Sequence, residues 1–339
     1  MPFLSSKKQH IAIIGDGGWG TTLSIHLAKK NFPVTLWGPF KNDIKEIQKN
    51  RHNKKFLPGI LIPSTVTVTS KLPNALKEAD LIVFAVPSKY AEKILKKIKK
   101  TNIDLSKKIF LSVTKGIETQ KLCRISELLK KILGKNISFA VLSGPNIAKE
   151  VAIGIPSTAV VASKNIKISK MVQEIFNSST FRVYTNPDII GVELGGSIKN
   201  IIAIACGVCD GLGFGANTKA AIVTRGLAEM TRLGISLGAK TKTFVGLSGL
   251  GDLVTTCFSS ESRNRCVGES LAKGKTIQEI TSQMKMVAEG VETVKAVYRL
   301  SQKYHVPMPI TTEVYNIIYH HKKPLEAVSA LMTRKMKSE

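Results

Sequence analysis

The sequence predicts an α/β N-terminal domain with a mostly parallel sheet at residues 1–190 and an all-α C-terminal domain at residues 191–339. Short apolar runs alternate with amphipathic, Lys-rich segments from Gln9 to about Tyr184, which is typical of alternating strands and helices. After the stretch "YTNPDIIG" the apolar residues recur with a helical period. A length of 339 residues also favours two domains over one.

Eight apolar runs of strand length are predicted to form the sheet. Amphipathic segments between these runs predict crossover helices, so neighbouring strands should run parallel. The ends of such strands would lie at the edge where doubly wound sheets bind ligands. The predicted strands are Ile11–Ile14, Val34–Trp37, Val66–Thr69, Leu81–Val86, Ile109–Val113, Ile137–Leu142, Thr158–Ala162 and Phe181–Tyr184.

Three glycines of "IAIIGDGGWG" stand between the first predicted strand and a predicted helix. Gly15 allows a tight turn, Gly17 lets the backbone approach a pyrophosphate, and Gly20 lets the helix pack closely on the strand. The helix N-terminus offers free N–H groups to phosphates. The pattern predicts a dinucleotide-binding, Rossmann-type domain; the alternative is a tight turn without a ligand.

The end of the second strand lacks the carboxylate that usually selects NAD. Trp37, Gly38 and Pro39 stand where an Asp or Glu would contact the adenosine ribose, and Lys41 follows. A carboxylate would repel the 2′-phosphate of NADP, whereas a lysine could attract it. The sequence therefore permits either NAD or NADP.

The net charge of +26, from 50 Lys and Arg against 24 Asp and Glu, raises the possibility of a nucleic-acid partner. Lysines flank an apolar stripe in "SKYAEKILKKIKK", and aromatic residues are only 6% of the chain, so we favour solvated lysine faces and anionic small molecules. The apolar runs are shorter than a membrane span, and we expect a cytoplasmic protein.

Five cysteines form no regular framework, which fits a reducing compartment. The one C-x-x-C motif, "CGVC", lies in an apolar helical run without a second pair of ligands nearby. We interpret it as part of a packed core rather than as a zinc or redox site, and we predict no metal.

Polar residues that could carry chemistry occur in three clusters. Lys115 follows a predicted strand, and Gly144 and Asn146 follow another. The helical half contains Asp252 in "GLSGLGDLVTTC", Arg263 and Asn264 in "SSESRNRCVG", and Lys199 in "GVELGGSIKNIIAI".

Lys199 is a lone cation in a helix of Gly, Ser and aliphatic residues. It is either a surface lysine with a buried stem or a lysine that faces a cleft, and the residues alone favour neither. A partly desolvated lysine has a lowered pKa and can exchange a proton at neutral pH, as hydride transfer to a carbonyl requires.

These motifs resemble those of the bacterial-type NAD(P)-dependent glycerol-3-phosphate dehydrogenases. The similarity runs over practically the whole chain, from "GDGGWG" through "SGPNIAKE", "GVELGGSIKN", "DGLGFGANTKAAIVTRGLAEM", "GLSGLGDLVTTC" and "SRNR" to "AEGVET". The resemblance implies reduction of dihydroxyacetone phosphate to sn-glycerol 3-phosphate for phospholipid synthesis, in a homodimer. Lys199 matches the catalytic lysine of that family.

The resemblance also assigns the remaining site residues. The residues that match substrate-binding positions are Lys115, Gly144, Asn146, Lys199, Asp252, Ser262, Arg263 and Asn264. The residues that match cofactor-binding positions are Gly18, Trp19, Lys115, Ala148, Arg263, Val287 and Glu289, in addition to Gly15, Gly17 and Gly20 of the glycine motif. The chain departs from the family at Gly18, often a serine, and near Pro39, where a basic residue or histidine is usual.

Two alternatives stay open. One is another two-domain dehydrogenase of the 6-phosphogluconate or 3-hydroxyacyl-CoA type, the latter of which should place a His/Glu pair. The other is a non-catalytic nucleotide-binding or RNA-binding module, which would not need Lys199, Asp252 or Arg263.

Overall fold

The computed structural model describes residues 8–284, 286–336 and 338. By their contacts these residues form two compact units. The first comprises the chain up to Thr114 together with Ile125–Ile189, and the second comprises Lys115–Arg124 together with the chain from Ile190 onward. Lys115–Arg124, which the sequence division assigns to residues 1–190, thus groups with the helical unit. The division into functional domains at residues 190 and 191 stays a prediction.

The described strands are β1 (Ile11–Ile14), β2 (Val34–Trp37), β3 (His52–Asn53), β4 (Leu57–Leu61), β5 (Val66–Thr69), β6 (Leu81–Phe84), β7 (Ile109–Ser112), β8 (Ile117–Glu118), β9 (Cys123–Arg124), β10 (Ser138–Ser143), β11 (Ser157–Ala162) and β12 (Phe181–Asn186).

The described α-helices are α1 (Gly18–Lys29), α2 (Lys41–Asn50), α3 (Leu72–Leu76), α4 (Ser88–Lys99), α5 (Ile125–Leu133), α6 (Ala148–Ile153), α7 (Ile166–Phe176), α8 (Ile189–Gly211), α9 (Ala216–Ser236), α10 (Thr241–Phe244), α11 (Asp252–Phe258), α12 (Arg263–Ala272), α13 (Ile277–Gln283), α14 (Glu289–Lys303), α15 (Pro309–Tyr319) and α16 (Pro324–Met332). A π-helical segment, Leu247–Gly251, directly precedes α11.

The first unit is built on an eight-stranded sheet in the order β12-β11-β10-β7-β6-β1-β2-β5. All eight predicted strands are confirmed, and their ends differ from prediction by one or two residues at most. The hairpins β3–β4 and β8–β9 were not predicted. Strands β3, β8 and β9 have two residues each, which is too few to show a period, and β4 contains Pro58 and Gly59, which are unfavourable within a strand.

The sheet is mostly parallel, as predicted, with one antiparallel junction between β10 and β11. Leu142 pairs with Val161 there, and β11 then runs parallel to β12. The connection from β10 to β11 carries only the six-residue helix α6, and an antiparallel neighbour needs no long crossover. The sequence rhythm cannot distinguish this reversal, because β11 has the same composition as a parallel core strand.

The parallel register brings several strand ends to one edge of the sheet. Ile14 at the end of β1 pairs with Trp37 of β2 on one side and with Phe84 of β6 on the other. The residues that follow these three strands therefore lie side by side. This edge carries the glycine motif.

The second unit is helical, apart from the hairpin β8–β9, and every element described after Asn186 is a helix, as predicted. Its core surrounds α8, whose residues Leu194, Ile198, Ile201 and Ile202 are completely buried. The apolar part of α8 is longer than the sequence interpretation assumed: by length and composition the helix could cross a membrane. Yet 94% of its most apolar window is buried within the protein, as in the core helix of a soluble fold.

Candidate active site

The glycine motif forms a tight turn between β1 and α1. Gly15 has a φ of +122°, donates its N–H to the Trp37 carbonyl oxygen at 2.9 Å, and would place a Cβ 2.5 Å from the Ala85 carbonyl oxygen. A Cβ on Gly20 would overlap the Gly15 carbonyl oxygen. Both positions therefore require glycine for the turn and for the close packing of helix on strand.

Gly17, unlike its neighbours, has no packing reason to be a glycine. A Cβ there would meet no atom within 4 Å, so the space beside the N-terminus of α1 is open. Open space before unpaired helix N–H groups is what a pyrophosphate requires. The first turn of α1 contains no acidic residue that would oppose an anion. The residues present thus fit the phosphates of NAD or NADP.

Three further predicted cofactor residues lie beside this turn. Gly18 would place a Cβ 2.8 Å from the Phe56 carbonyl oxygen and 3.8 Å from the Ala148 Cβ, so Gly18 and Ala148 are neighbours. The Thr22 hydroxyl donates to the Ala148 carbonyl oxygen at 2.9 Å and holds α6 against α1. The Trp19 ring packs on Phe181, with 6.4 Å between the ring centroids.

Gly144 and Asn146 follow β10 in the first unit. A Cβ on Gly144 would lie 2.7 Å from the Thr158 carbonyl oxygen, so the loop approaches β11 closely. Asn146 donates from Nδ2 to the same oxygen at 2.8 Å, whereas its buried Oδ1 has no hydrogen-bond partner. Asn146 therefore presents an acceptor that the protein does not use.

In the second unit, Asp252 joins two lysines. Its Oδ2 accepts from the Lys115 ammonium at 2.7 Å, and its Oδ1 accepts from the Lys199 ammonium. Lys199 also donates to the Thr256 hydroxyl at 2.5 Å, and that hydroxyl donates to the Asp252 main-chain oxygen at 2.6 Å. Lys199 is 5% exposed and Asp252 is 1% exposed. The surface alternative for Lys199 is therefore wrong.

A close approach of two segments creates the pair between Lys199 and Asp252. A Cβ on Gly195 would lie 2.5 Å from the Ser248 carbonyl oxygen, so α8 and the π-helical segment are almost in backbone contact. Lys199 stands four residues after Gly195, and Asp252 stands four residues after Ser248. Lys199 lies on the same face of α8 as Gly195, and Asp252 lies about one turn beyond Ser248, so the charged groups meet close to the contact at the glycine.

Burial lowers the pKa of Lys199, Asp252 opposes this effect, and the nearby Lys115 ammonium adds to it; the resulting pKa is about 8. Removing an ammonium from water disfavours the charged form, and this cost outweighs the attraction of one carboxylate. Lys199 can consequently gain and lose a proton near neutral pH, which an ordinary lysine cannot.

Asn200 connects this cluster to the start of α12. Its side-chain amide donates to the Lys115 carbonyl oxygen at 3.3 Å. A Cβ on Gly290 would lie 2.9 Å from the Asn200 carbonyl oxygen and 2.7 Å from Asn264 Oδ1. Asn264 Oδ1 accepts from the Gly290 N–H at 3.0 Å. The predicted residues Lys115 and Asn264 are thus linked through their contacts with Asn200 and Gly290.

The other predicted residues of the second unit lie at the N-termini of α12 and α14. Ser262 caps α12 by accepting from the Arg265 N–H at 3.3 Å. Arg263 is exposed, donates to the Val287 carbonyl oxygen at 2.7 Å, and interacts electrostatically with Glu289. The three predicted cofactor residues Arg263, Val287 and Glu289 are therefore neighbours.

The sequence interpretation missed three residues. Thr256, like Asp252, accepts a hydrogen bond from the Lys199 ammonium. It lies four residues after Asp252 on α11, and this spacing could have indicated that the two side chains share a helical face. Asn200, directly after Lys199, holds the main chain of Lys115. Asp16, a charged residue inside the glycine motif, is buried. No group of three or more His, Cys, Asp or Glu side chains able to hold a metal occurs among the described residues.

Comparison with known proteins identifies the family. The family model described as "NAD-dependent glycerol-3-phosphate dehydrogenase N-terminus" matches residues 10–169, and its C-terminus counterpart matches residues 188–329. The chain is 48% identical over 331 residues to "Glycerol-3-phosphate dehydrogenase [NAD(P)+]" of Thermoanaerobacter sp. (strain X514), covering 97% of this chain and 98% of that protein. The protein of the same name from Bacillus velezensis is 47% identical, with coverage of 96% and 94%.

A solved structure gives the same result. The crystal structure of glycerol-3-phosphate dehydrogenase from Coxiella burnetii is 39% identical, has a TM-score of 0.93, and matches over 96% of this chain and 99% of that chain. Both the helical unit and the Rossmann-type unit are thus shared with this enzyme. The chain belongs to the NAD-dependent glycerol-3-phosphate dehydrogenase family of oxidoreductases, whose members use NAD or NADP.

Proposed function

We propose that this protein reduces dihydroxyacetone phosphate to sn-glycerol 3-phosphate with NADH or NADPH, reversibly, and supplies glycerophospholipid synthesis. The observation that carries the proposal is the buried Lys199 ammonium, paired with Asp252 and lowered in pKa to about 8. The names and full-length similarity of the relatives support the choice of substrate.

Lys199 is the general acid of the reduction and the general base of the oxidation. When bound, NADH or NADPH would supply the hydride that reduces the carbonyl carbon. Lys199 gives its proton to the carbonyl oxygen, which becomes the product hydroxyl, and the neutral amine then regains a proton. A pKa near the working pH suits both directions, because each protonation state is populated.

Asp252 and Thr256 hold the Lys199 amine in position. Thr256 gives its own proton to the Asp252 main-chain oxygen, so its hydroxyl accepts from Lys199. Lys115, on the other oxygen of Asp252, adds positive potential, which stabilises negative charge developing on a substrate oxygen.

Arg263 binds the phosphate of the substrate, with Ser262 and Asn264 beside it. The planar guanidinium can donate two parallel hydrogen bonds to a dianion. Its exposure and its place at the N-terminus of α12 both favour an anion. In the first unit, Gly144 and Asn146 complete the proposed substrate residues, the latter with its unused buried oxygen.

The proposed cofactor residues follow the same division. The residues of the first unit that would hold the cofactor are Gly15, Gly17, Gly18, Trp19, Gly20 and Ala148. The residues of the second unit that would do so are Lys115, Arg263, Val287 and Glu289. The open space at Gly17 supports the first set. The contact of Arg263 with Val287 supports the second.

We further propose a cytoplasmic homodimer. The five cysteines all lie in the part of the chain that the structure describes and form no disulfide, which supports a reducing compartment. The dimer is what the family resemblance implies. Sedimentation velocity of the purified protein would test the dimer: a monomer at micromolar concentration contradicts it.

One assay tests the reaction. Loss of NADH or NADPH absorbance is followed with dihydroxyacetone phosphate, and separately with the alternative substrates acetoacetyl-CoA and ribulose 5-phosphate plus bicarbonate. We expect rapid loss with dihydroxyacetone phosphate alone. Absence of turnover with either cofactor, or faster turnover with an alternative substrate, would overturn the proposal.

A further inference from the structure

The strand ends at the glycine motif contain a carboxylate that neither the turn nor the hydride transfer requires. Asp16 follows Gly15 at the end of β1 and is 5% exposed. Its Oδ2 has no hydrogen-bond partner. A buried carboxylate oxygen without a partner is costly, and the pKa of Asp16 is raised by this burial to about 6. The group is still mostly ionised at neutral pH.

The Asp16 carboxylate fills the space that a side chain at position 38 would need. Trp37 of β2 pairs with Ile14 of β1, so Gly38 lies beside the turn that carries Asp16. A Cβ on Gly38 would overlap the Asp16 carboxylate and would lie 2.5 Å from its Cγ carbon. In NAD-binding domains of this type, the residue that ends β2 carries the acid that contacts the adenosine ribose. In this protein the carboxylate at the end of β2 comes instead from Asp16, which follows β1. The absence of a side chain at Gly38 leaves space for it.

We propose that Asp16 is the residue that selects the cofactor, favouring NAD over NADP by repelling the 2′-phosphate. The inference deepens the proposed function and rests on it for the identity of the cofactor. The sequence of the second strand alone indicates no carboxylate near the adenosine ribose. The proposal replaces that interpretation, because Asp16 supplies the carboxylate from the end of β1.

The charges around Asp16 do not cancel its effect. Asp43 and Lys55 are the charged groups that act on it, and they form an ion pair with each other at 3.0 Å. Lys41, which could attract a 2′-phosphate, is exposed at the start of α2. Solvent and salt screen an exposed charge much more than a buried one, so the field of Asp16 should prevail.

Binding of two cofactor fragments tests the proposal without any turnover. Isothermal titration of the full-length protein with ADP-ribose and with 2′-phospho-ADP-ribose gives two dissociation constants. We expect the wild-type protein to bind ADP-ribose at least about tenfold more tightly, and Asp16→Asn to reduce this ratio by about tenfold. Because neither fragment contains nicotinamide or substrate, the result does not depend on whether the proposed reaction occurs.

Two matched variants complete the experiment. Asp43→Asn removes a neighbouring negative charge and should change the ratio less than about threefold, because Asp43 is already paired with Lys55. Lys41→Ala should likewise change it little. Equal binding of the two fragments by the wild-type protein, an unchanged ratio in Asp16→Asn, or a larger change in either control would overturn the proposal.

Discussion

Lys199 and Asp252 form a buried ion pair, 5% and 1% exposed, that joins helices α8 and α11. Lys199 differs in this from lysines such as Lys97 of α4 and Lys170 of α7, which are exposed. Its burial against one carboxylate and one hydroxyl gives it both a fixed position and a pKa near neutrality.

Replacement of Lys199 by Ala should reduce kcat by about 10²- to 10⁴-fold, because the carbonyl oxygen loses its proton donor. Cofactor affinity should change little. Steady-state rates and titration of NADH fluorescence measure the two quantities separately. Lys170→Ala, at an exposed lysine of α7, is the control and should behave like the wild type. Turnover of Lys199→Ala within a factor of about two of wild type would disprove the assignment.

The two directions of the reaction should depend oppositely on pH. Reduction needs the Lys199 ammonium, so its kcat should fall as pH rises through about 8, and oxidation needs the neutral amine, so its kcat should rise to a plateau above about 8. Asp252→Asn removes the carboxylate that raises this pKa, so residual activity in reduction should fall off at lower pH. Parallel pH dependences in the two directions would contradict this role.

Gly195→Ala should separate α8 from the π-helical segment, because its Cβ would lie 2.5 Å from the Ser248 carbonyl oxygen. We expect kcat to fall at least about tenfold and the free energy of unfolding to fall by about 1–3 kcal/mol. Gly215→Ala is the matched control, since a Cβ there meets nothing within 4 Å and φ is −85°. Urea unfolding and initial rates should distinguish the two; similar losses in both would show that close approach at Gly195 is not the cause.

Arg263→Ala should raise KM for dihydroxyacetone phosphate at least about tenfold, because a charge-assisted, two-point contact with the phosphate is lost. The effect should be larger than with a substrate that lacks the phosphate, such as dihydroxyacetone. Arg299→Ala, at an exposed arginine of α14, is the control. If KM stays the same, Arg263 does not bind the phosphate.

Asp16→Asn should stabilise the fold above pH 6. The folded-state pKa of about 6 lies above the ordinary value of 3.8, so stability is lost as pH rises from about 4 to above 6 and the buried carboxyl ionises. Relieving this cost should raise the free energy of unfolding by about 1–2 kcal/mol near pH 8 and by little near pH 4. Urea titrations at both pH values measure the difference. A gain in the free energy of unfolding that is seen only at pH 4 would contradict this prediction.

Local sequence patterns predicted the eight main strands, the helical second half and the glycine turn, and the structure contains all of them. Apolar periodicity is a local property, and Gly15 and Gly20 are required by contacts close to the turn. The sequence motifs also resemble those of the glycerol-3-phosphate dehydrogenases closely enough to indicate the reduction of dihydroxyacetone phosphate. The sequence did not indicate that β11 runs antiparallel to β10, because β11 has the same composition as a parallel core strand. It also did not indicate β3, β8 and β9, because two residues are too few to show a period.

The environments of the charged side chains depend on the tertiary fold. From the residues, Lys199 could equally face solvent or a cleft, and its partner Asp252 lies 53 residues away, while Lys115 and Asp252 are 137 residues apart. The sequence alone does not show that Asp16 is buried against Gly38, because the pairing of β1 with β2 brings the two residues together. Burial and pairing depend on segments that meet only in the folded chain, and they set the pKa values on which the chemistry rests.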